Sequence, residues 1–180
     1  DNSPVSRKHF KTIAIKLSKK AKLNKDSFVV EAGSNDGTFL NEIKKFSKSK
    51  VLGVDPSKNV SLLAKKKGIK TISDFFDLKV AKSIIKKYSN ADLFFAANVF
   101  NHTDNLVVFL EAAKKIIKTN GLIVIEVPDL ESLINSVGFD TIYHEHRNYF
   151  SENSLHKLFS KQKIKILKIE KINYMSGSLR

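Results

Sequence analysis

Apolar positions along the chain alternate between a helical period and short continuous runs. Apolar side chains recur every three or four residues in five stretches, which predicts amphipathic helices. These helices begin near Arg7, Phe39, Leu78, Leu106 and Leu155. Short apolar runs lie between them and predict buried strands at residues 28–30, 51–54, 69–72, 92–96 and 122–127. Strands and helices that alternate at this spacing predict an α/β fold, a Rossmann-like doubly wound and mostly parallel sheet with helices on both faces.

The last third of the chain has a weaker pattern. Residues 129–151 are polar and aromatic without a clear period, and long segments of this kind inside a compact domain are more often functional than idle. Residues 164–169 alternate as an edge strand would. We expect a single domain, with a helical lead-in at 1–25, a Rossmann-like core at 26–128, and an acceptor-site loop, helix and edge strand at 129–180.

Turn signals separate the predicted elements. Asn120 and Gly121 predict the end of the helix that starts at Leu106. Pro56 and Ser57 predict the start of a helix after the second strand, because proline is tolerated in a first turn.

A glycine-bearing turn follows the first predicted strand. The segment EAGSNDGTF holds Gly33 and Gly37, which let the backbone approach a ligand closely and adopt dihedrals that a side chain disfavours. Ligands of doubly wound sheets bind beyond the carboxyl ends of the strands. The turn therefore predicts a cofactor site.

Carboxylates around this turn narrow the cofactor. A dinucleotide fingerprint reads G-x-G-x-x-G, whereas the spacing here is G-x-x-x-G with Glu31 closing the strand and Asp36 in the turn. Two carboxylates would repel a pyrophosphate but suit the ammonium and sulfonium of S-adenosylmethionine (SAM). Asp55 ends the second strand, where an acid can bind both ribose hydroxyls. The alternative is an ordinary strand-to-helix turn with Asp36 as a helix N-cap.

Acidic and aromatic residues also follow the third strand. Asp74 is placed to bind the adenine amino group, and Phe75 or Phe76 to cover the ring face. The alternative is that these phenylalanines belong to the core.

Charge and composition limit the other function classes. The 180 residues carry a net charge of +14, but only three of the 32 basic residues are arginine. Because arginine is favoured for bidentate base contacts, we interpret the lysines as solvated helix faces and expect no nucleic acid partner. The chain has no cysteine, no apolar run long enough for a membrane span and no secretory signal, so a cytoplasmic protein without a membrane partner is expected.

Six segments together resemble a known family. EAGSNDGTFL, GVDPS, SDFFD, AANVFNH, FDTIYHEHRNYFS and GSLR occur in this order. The first three resemble class I SAM-dependent methyltransferases, and the whole set is similar to the sugar C-methyltransferases, which act on nucleotide-linked keto-deoxysugars. The resemblance implies that SAM is the cofactor, with S-adenosylhomocysteine (SAH) as the product, and that a nucleotide-linked sugar is the acceptor.

The resemblance also implies site residues. The SAM pocket would be lined by Glu31, Gly33, Asn35, Asp36, Gly37, Asp55, Pro56, Asp74, Phe75 and Asn98. The acceptor would be bound by Asn98, His102, Tyr143, His144 and Arg147. The catalytic residues would be Tyr143, Glu145 and His146.

Two features depart from the family pattern. The family usually carries a cysteine-rich zinc module before this domain and a further domain after it, and we expect neither here. We also expect no zinc site, because cysteine is absent. Tyr174, Met175 and Ser176 stand before Gly177, where the family commonly shows a histidine and paired glycines.

The implied chemistry requires a base. Methylation beside a ketone needs removal of a C–H proton, and imidazole exchanges protons near neutral pH. We assign His146 as this base, with Glu145 or another carboxylate orienting its ring, and Tyr143 or Asn98 as donor to the enolate oxygen.

Several alternatives stay open. His144 and His146 could be exposed and inert, or the YHEH segment could bind a metal, although its spacing matches established ligand sets poorly and no metal is expected. The chain could methylate oxygen or nitrogen of another small molecule, or be a non-catalytic module that binds SAM or RNA.

Overall fold

The computed structural model describes residues 3–180. Seven α-helices lie in this part of the chain: α1 (Pro4–Lys20), α2 (Thr38–Ser47), α3 (Lys58–Lys66), α4 (Leu78–Lys87), α5 (Leu106–Ile116), α6 (Leu130–Asn135) and α7 (Glu152–Lys161). The strands are β1 (Phe28–Ala32), β2 (Lys50–Val54), β3 (Thr71–Ile72), β4 (Ala91–Ala97), β5 (Ile117–Pro128), β6 (Lys171–Ile172) and β7 (Ser178–Leu179). Short 3₁₀ turns lie at Phe100–His102 and Phe139–Thr141.

The strands form one mixed sheet in the order β3-β2-β1-β4-β5-β7-β6. β1 pairs in parallel with β2 and with β4, and β2 pairs in parallel with β3. The last strands differ, because β7 pairs antiparallel with both β5 and β6. The mostly parallel α/β fold predicted from the sequence is therefore confirmed.

The chain divides into two compact units. Within the described residues, the first unit comprises 3–96 and 112–124, and the second comprises 97–111 and 125–180. In the first unit β1 is buried along its whole length, and Phe39 of α2 stacks on Phe95 of β4 with ring centroids 4.0 Å apart. In the second unit Phe100 is fully buried and contacts Phe109, Phe150 and Phe159. Each unit thus has its own aromatic core.

A buried carboxylate interrupts the apolar pattern of β5. The Glu126 side chain is fully buried, and its Oε1 accepts a hydrogen bond of 2.6 Å from Nε of Arg180. Charges in an interior are retained where a partner and hydrogen bonds offset their desolvation. The Arg180 guanidinium therefore offsets the cost of burying the Glu126 carboxylate in an apolar strand.

Two predicted boundaries are wrong. The helix that starts at Leu106 ends at Ile116, and β5 begins at Ile117, before the predicted stop at Asn120 and Gly121. Gly121 does not adopt a positive φ, and a Cβ there would lie 3.0 Å from the Ala91 carbonyl oxygen. This glycine allows close packing rather than capping a helix. The helix start predicted after the second strand is confirmed, because Ser57 is the N-cap of α3, but Pro56 lies before the first turn rather than in it.

The predicted edge strand at 164–169 is also wrong. This segment has no strand pairing, and the ladder begins only at Glu170, whose N–H donates to the Arg180 carbonyl over 2.8 Å. The alternation of apolar residues predicts a strand, but a strand also needs a partner backbone. Within residues 129–151 no helix is predicted from the sequence, whereas the structure places α6 at Leu130–Asn135.

No helix between residues 3 and 180 combines the length and the apolar character that crossing a membrane requires.

Candidate functional site

The turn after β1 has an unusual backbone conformation. Gly33, Asn35 and Gly37 have φ angles of 67°, 48° and 74°, all in the left-handed region. Glycine adopts this region without a steric penalty, and asparagine is one of the few other residues that tolerates it. The G-x-x-x-G pattern therefore encodes a turn whose path requires these residue types.

Successive backbone amides of this turn are all bonded within the protein. The Gly33 and Ser34 amides donate to the Val54 carbonyl, and the Gly37 amide donates to the Ser34 carbonyl. The remaining amides donate to side chains. The Asn35 N–H donates to Asp55 Oδ2 over 2.8 Å. The Asp36 N–H donates to Asn35 Oδ1, and the Thr38 N–H donates to Asp36 Oδ1. A pyrophosphate needs free amides. The turn from Gly33 to Thr38 does not supply them.

Three carboxylates gather around the same turn. Glu31, Asp36 and Asp55 are 4%, 6% and 7% exposed. Asp55 Oδ2 accepts from Asn35, and its Oδ1 accepts from the Ser57 amide over 2.9 Å. Since a carboxylate oxygen can accept two hydrogen bonds, each retains capacity for a hydroxyl donor. Acidic side chains and satisfied amides fit a cationic ligand with ribose hydroxyls, so these residues fit SAM better than a dinucleotide.

Asp36 is held by a lysine that the sequence reading did not identify. Lys67 Nζ lies 2.7 Å from Asp36 Oδ2, and the Thr38 hydroxyl donates to Asp36 Oδ1 over 2.7 Å. Burial by itself raises the pKa of Asp36, but the hydrogen bonds from Lys67 and Thr38 outweigh it and lower the pKa from 3.8 to about 2. The N-cap residue of α2 is Gly37, so the alternative in which Asp36 is the N-cap is wrong. Asp36 lies one position earlier and accepts a hydrogen bond from the Thr38 amide at the start of the helix.

Replacing Lys67 by methionine is expected to reduce stability in a pH-dependent way. Because the Asp36 pKa is depressed in the folded state, the ion pair contributes fully above the unfolded pKa of about 3.9. This contribution is lost as pH falls through the folded pKa of about 2. Urea unfolding from pH 7 down to pH 2 should show a deficit of no more than about 1 kcal/mol at pH 7 that narrows toward pH 2.

Lys66→Met is the matched control, because Lys66 is an exposed neighbour in α3. It should leave the free energy of unfolding nearly unchanged. A Lys67→Met deficit that stays constant across the pH range would contradict the assignment of the effect to Asp36.

Gly53 supports the turn from β2. A Cβ at Gly53 would lie 2.3 Å from Ser34 Oγ and 2.8 Å from Ser34 Cβ, too close without a shift of Ser34. We expect Gly53→Ala to lower SAM affinity about tenfold, measured by calorimetric titration, because Ser34 lies within the turn. The double variant Gly53→Ala/Ser34→Gly should recover most of the affinity. Unchanged SAM binding by Gly53→Ala would show that the turn tolerates the shift.

The other predicted cofactor residues of the first unit are more exposed. Asp74 Oδ1 accepts from the Phe75 amide, and the Phe75 side chain is 73% exposed. Phe76 instead packs against Phe94 with ring centroids 4.7 Å apart. Phe76 thus packs against the core, whereas Phe75 is exposed to solvent and can cover the face of a ligand's ring. Pro56 is exposed beside Asp55.

In the second unit, His146 is held in a defined tautomer. Its Nδ1 lies 2.8 Å from the Thr141 carbonyl oxygen, and its Nε2 lies 3.2 Å from the Tyr143 hydroxyl. A carbonyl only accepts, so the proton of a neutral ring is on Nδ1. Nε2 then accepts from Tyr143. In its neutral form His146 therefore presents the Nε2 lone pair that a general base requires.

His102 is arranged in the same way. Its Nδ1 donates to the Glu145 carbonyl over 2.8 Å, and its ring centroid lies 4.9 Å from that of His146. The structure therefore brings together three of the predicted residues, His102, Tyr143 and His146.

The expected orienting carboxylate is absent from the described surroundings of His146 Nδ1. We expected Glu145 or another carboxylate to orient the ring, but the Thr141 carbonyl does so, and Glu145 contributes its backbone carbonyl to His102 instead. The Glu145 side chain is exposed, as is His144. Arg147 forms an ion pair with Asp104, and both side chains are exposed.

Asn148 joins the segments that carry the two histidines. Its amide N–H donates to the Asn101 carbonyl over 3.0 Å, and its Nδ2 donates to the Thr103 carbonyl over 2.8 Å. Neither Asn148 nor Thr141 is predicted from the sequence. Thr141 acts through its backbone carbonyl, and Asn148 binds the backbone carbonyls of other residues. Such roles leave no signature in residue type.

Asn98, predicted for both SAM and the acceptor, also lies in the second unit. It has a positive φ of 52°, and its backbone N–H donates to the Glu126 carbonyl over 2.9 Å. Within residues 3–180, no three His, Asp or Glu side chains come together as a metal site.

Comparisons with known proteins show the family. A family model described as a methyltransferase domain matches residues 7–168. The C-methyltransferase NovU of Streptomyces niveus is 32% identical over 157 residues, which span 87% of this chain and 37% of that relative.

Solved structures show the same fold. A SAM-dependent methyltransferase from Archaeoglobus fulgidus has a TM-score of 0.72 at 22% identity, covering 91% of this chain and 73% of its own. Magnesium protoporphyrin IX methyltransferase from Synechocystis PCC 6803, solved with bound SAH, also has a TM-score of 0.72, at 12% identity, covering 97% of this chain and 80% of its own.

Proposed function

The chain belongs to the methyltransferase domain family, whose methyl donor is SAM, and we propose that it methylates a carbon atom of a nucleotide-linked keto-deoxysugar. Among the relatives, NovU is named a C-methyltransferase, and the YHEH segment resembles that of the sugar C-methyltransferases. The observation that carries the proposal is the geometry of His146, whose Nδ1 lies 2.8 Å from the Thr141 carbonyl oxygen and whose Nε2 lies 3.2 Å from the Tyr143 hydroxyl.

Carbon methylation begins with proton removal. His146 Nε2 takes a proton from the carbon beside the keto group, and the electrons of the broken C–H bond form the enolate, which places negative charge on the keto oxygen. The imidazolium that results keeps its Nδ1–H bond to the Thr141 carbonyl. This contact stabilises the charged ring and holds it in place.

Tyr143 has a second role in this proposal. Its hydroxyl donates to His146 Nε2 over 3.2 Å, and its side chain is 43% exposed. An acceptor carbon placed at Nε2 displaces that hydroxyl, which then donates to the developing enolate oxygen. His102 lies beside His146 and is placed to contact the acceptor.

The first unit holds the donor in this proposal. Asp55 binds the ribose hydroxyls, Glu31 lies where it attracts the cationic end, and exposed Phe75 covers the adenine. Bound SAM supplies an electrophilic methyl group on a sulfonium. The contribution of the chain is to orient donor and acceptor, and positioning of this kind accounts for about 7 to 11 kcal/mol of barrier reduction in favourable cases.

Exchange of the acceptor's α-hydrogen tests carbon chemistry directly. A nucleoside-diphosphate-linked keto-deoxysugar labelled with deuterium at the α-carbon should lose its label in water when the protein is present, as followed by NMR. The loss should depend on His146. Methyl transfer without any loss of label would assign the chemistry to oxygen or nitrogen.

A further inference from the structure

The turn between β6 and β7 has three successive residues with positive φ angles. Met175, Ser176 and Gly177 have φ angles of 50°, 63° and 110°. Residues with a Cβ are disfavoured in this region, and only Gly177 avoids the penalty. Such strain persists only where the surrounding structure enforces it, and it concentrates at functional sites.

Hydrogen bonds fix the turn on both sides. The Asp129 N–H donates to the Gly177 carbonyl over 3.1 Å, and the Gly177 N–H donates to the Tyr174 carbonyl over 3.1 Å. The Ser178 hydroxyl also donates to the Tyr174 carbonyl, over 2.9 Å. A Cβ at Gly177 would lie 2.6 Å from Ser132, so the turn packs tightly there. The residues on both sides of Met175 and Ser176 are therefore held in place.

The strained turn places the Met175 sulfur against Asn98. The Asn98 Nδ2 donates to Met175 Sδ over 3.2 Å, whereas its Oδ1 is buried with no partner among residues 3–180. A thioether sulfur only accepts, so this contact selects the amide orientation that turns Nδ2 toward the sulfur. One of the two Nδ2 hydrogens is then bound and the other is left for a ligand.

Packing does not account for Met175. Its side chain is 62% exposed, so it buries little apolar surface to offset the strain of its backbone. Among residues 3–180, the Met175 side chain forms its hydrogen bond with Asn98.

We propose that Met175 is a positioning residue, which orients the Asn98 amide so that its second N–H donates to the enolate oxygen of the acceptor. The proposal rests on the proposed carbon methylation. Because the oxygen is negatively charged only as the reaction proceeds, loss of the correct orientation should lower the turnover rate without weakening SAM binding.

Met175→Leu removes the sulfur acceptor and keeps an apolar side chain of similar size. We expect a melting temperature within about 1 °C of the original, a SAM Kd within about threefold, and a single-turnover rate about tenfold lower. In an Asn98→Gly background, where the amide is gone and glycine suits the positive φ, Met175→Leu should cause no further loss. Full activity of Met175→Leu, or an equal loss in both backgrounds, would overturn the proposal.

Met175→Gly separates positioning from stability. Glycine relieves the strain at φ 50°, so the melting temperature should rise by about 2–4 °C while the rate falls as in Met175→Leu. A residue with a purely structural role would not pair higher stability with lower activity. An active, stabilised Met175→Gly variant would therefore count against the proposal.

NMR tests the positioning role of Met175 separately from the proposed substrate. The side-chain amide resonances of Asn98, assigned through Asn98→Gly, should shift in Met175→Leu whether or not a sugar is methylated. If they shift but no nucleotide-linked sugar is methylated, the proposed substrate is wrong and the Met175 contact stands. If they do not shift, the positioning role is wrong.

Discussion

Replacing His146 by alanine is expected to lower the single-turnover rate of methyl transfer by about 10³-fold, within the range that a positioned base contributes. Nε2 is the atom that takes the proton, and the Thr141 carbonyl maintains its tautomer. Alanine supplies no base and no charge to balance the enolate. SAM affinity, measured by calorimetry, should stay within about threefold, because the carboxylates assigned to the donor lie in the first unit.

His144→Ala is the matched control for this prediction. His144 lies two residues away in the same segment, with an exposed side chain. Its loss should leave the rate nearly unchanged. A His146→Ala variant that turns over at the original rate would remove the assigned base, and equal losses in both variants would point to a general disturbance of the segment.

Asp55→Ala is expected to weaken SAM binding about 100-fold. Two effects act together, since the variant loses the carboxylate assigned to the ribose hydroxyls and also the acceptor of the Asn35 and Ser57 amides. Hydrogen bonds to charged groups contribute about 1.5–3 kcal/mol each, so the loss of a bidentate partner supports a change of this size. The Kd from calorimetric titration of SAM is the measurement.

Asp26→Ala provides the comparison for Asp55. Asp26 is an exposed acid just before β1, and its removal changes the net charge equally. It should leave the SAM Kd within about twofold. If Asp55→Ala also binds SAM within a few-fold of the original protein while remaining folded by circular dichroism, Asp55 does not bind the ribose.

The turn after β1 could be predicted largely from sequence because its signals are local. The positive φ angles at Gly33 and Gly37 belong to a turn of consecutive residues, and glycine is the residue type such a turn requires. Asp55 could be placed nearby because β1 and β2 are parallel neighbours, so their carboxyl ends lie together. The partner of Asp36 could not be predicted, since Lys67 is one of many lysines and pairs across the fold.

The cluster of His102, Tyr143 and His146 in the second unit could be predicted only in part. The YHEH segment pointed to His146 and Tyr143, which lie in hydrogen-bond contact. The atoms that orient the two histidines are backbone carbonyls of Thr141 and Glu145. Every residue has a carbonyl, so no pattern of residue types reveals which one is used.

By itself the sequence determined the alternation of helices and strands, the turn after β1 and the acidic character of the donor residues, because apolar periodicity, glycine dihedrals and charge are properties of neighbouring residues. Only the tertiary structure decided that residues 164–169 lack a strand partner, that Glu126 pairs with Arg180, and that Met175 lies against Asn98. Each of these depends on which distant backbone or side chain comes into contact, and contacts between distant residues are set by the packing of the whole unit.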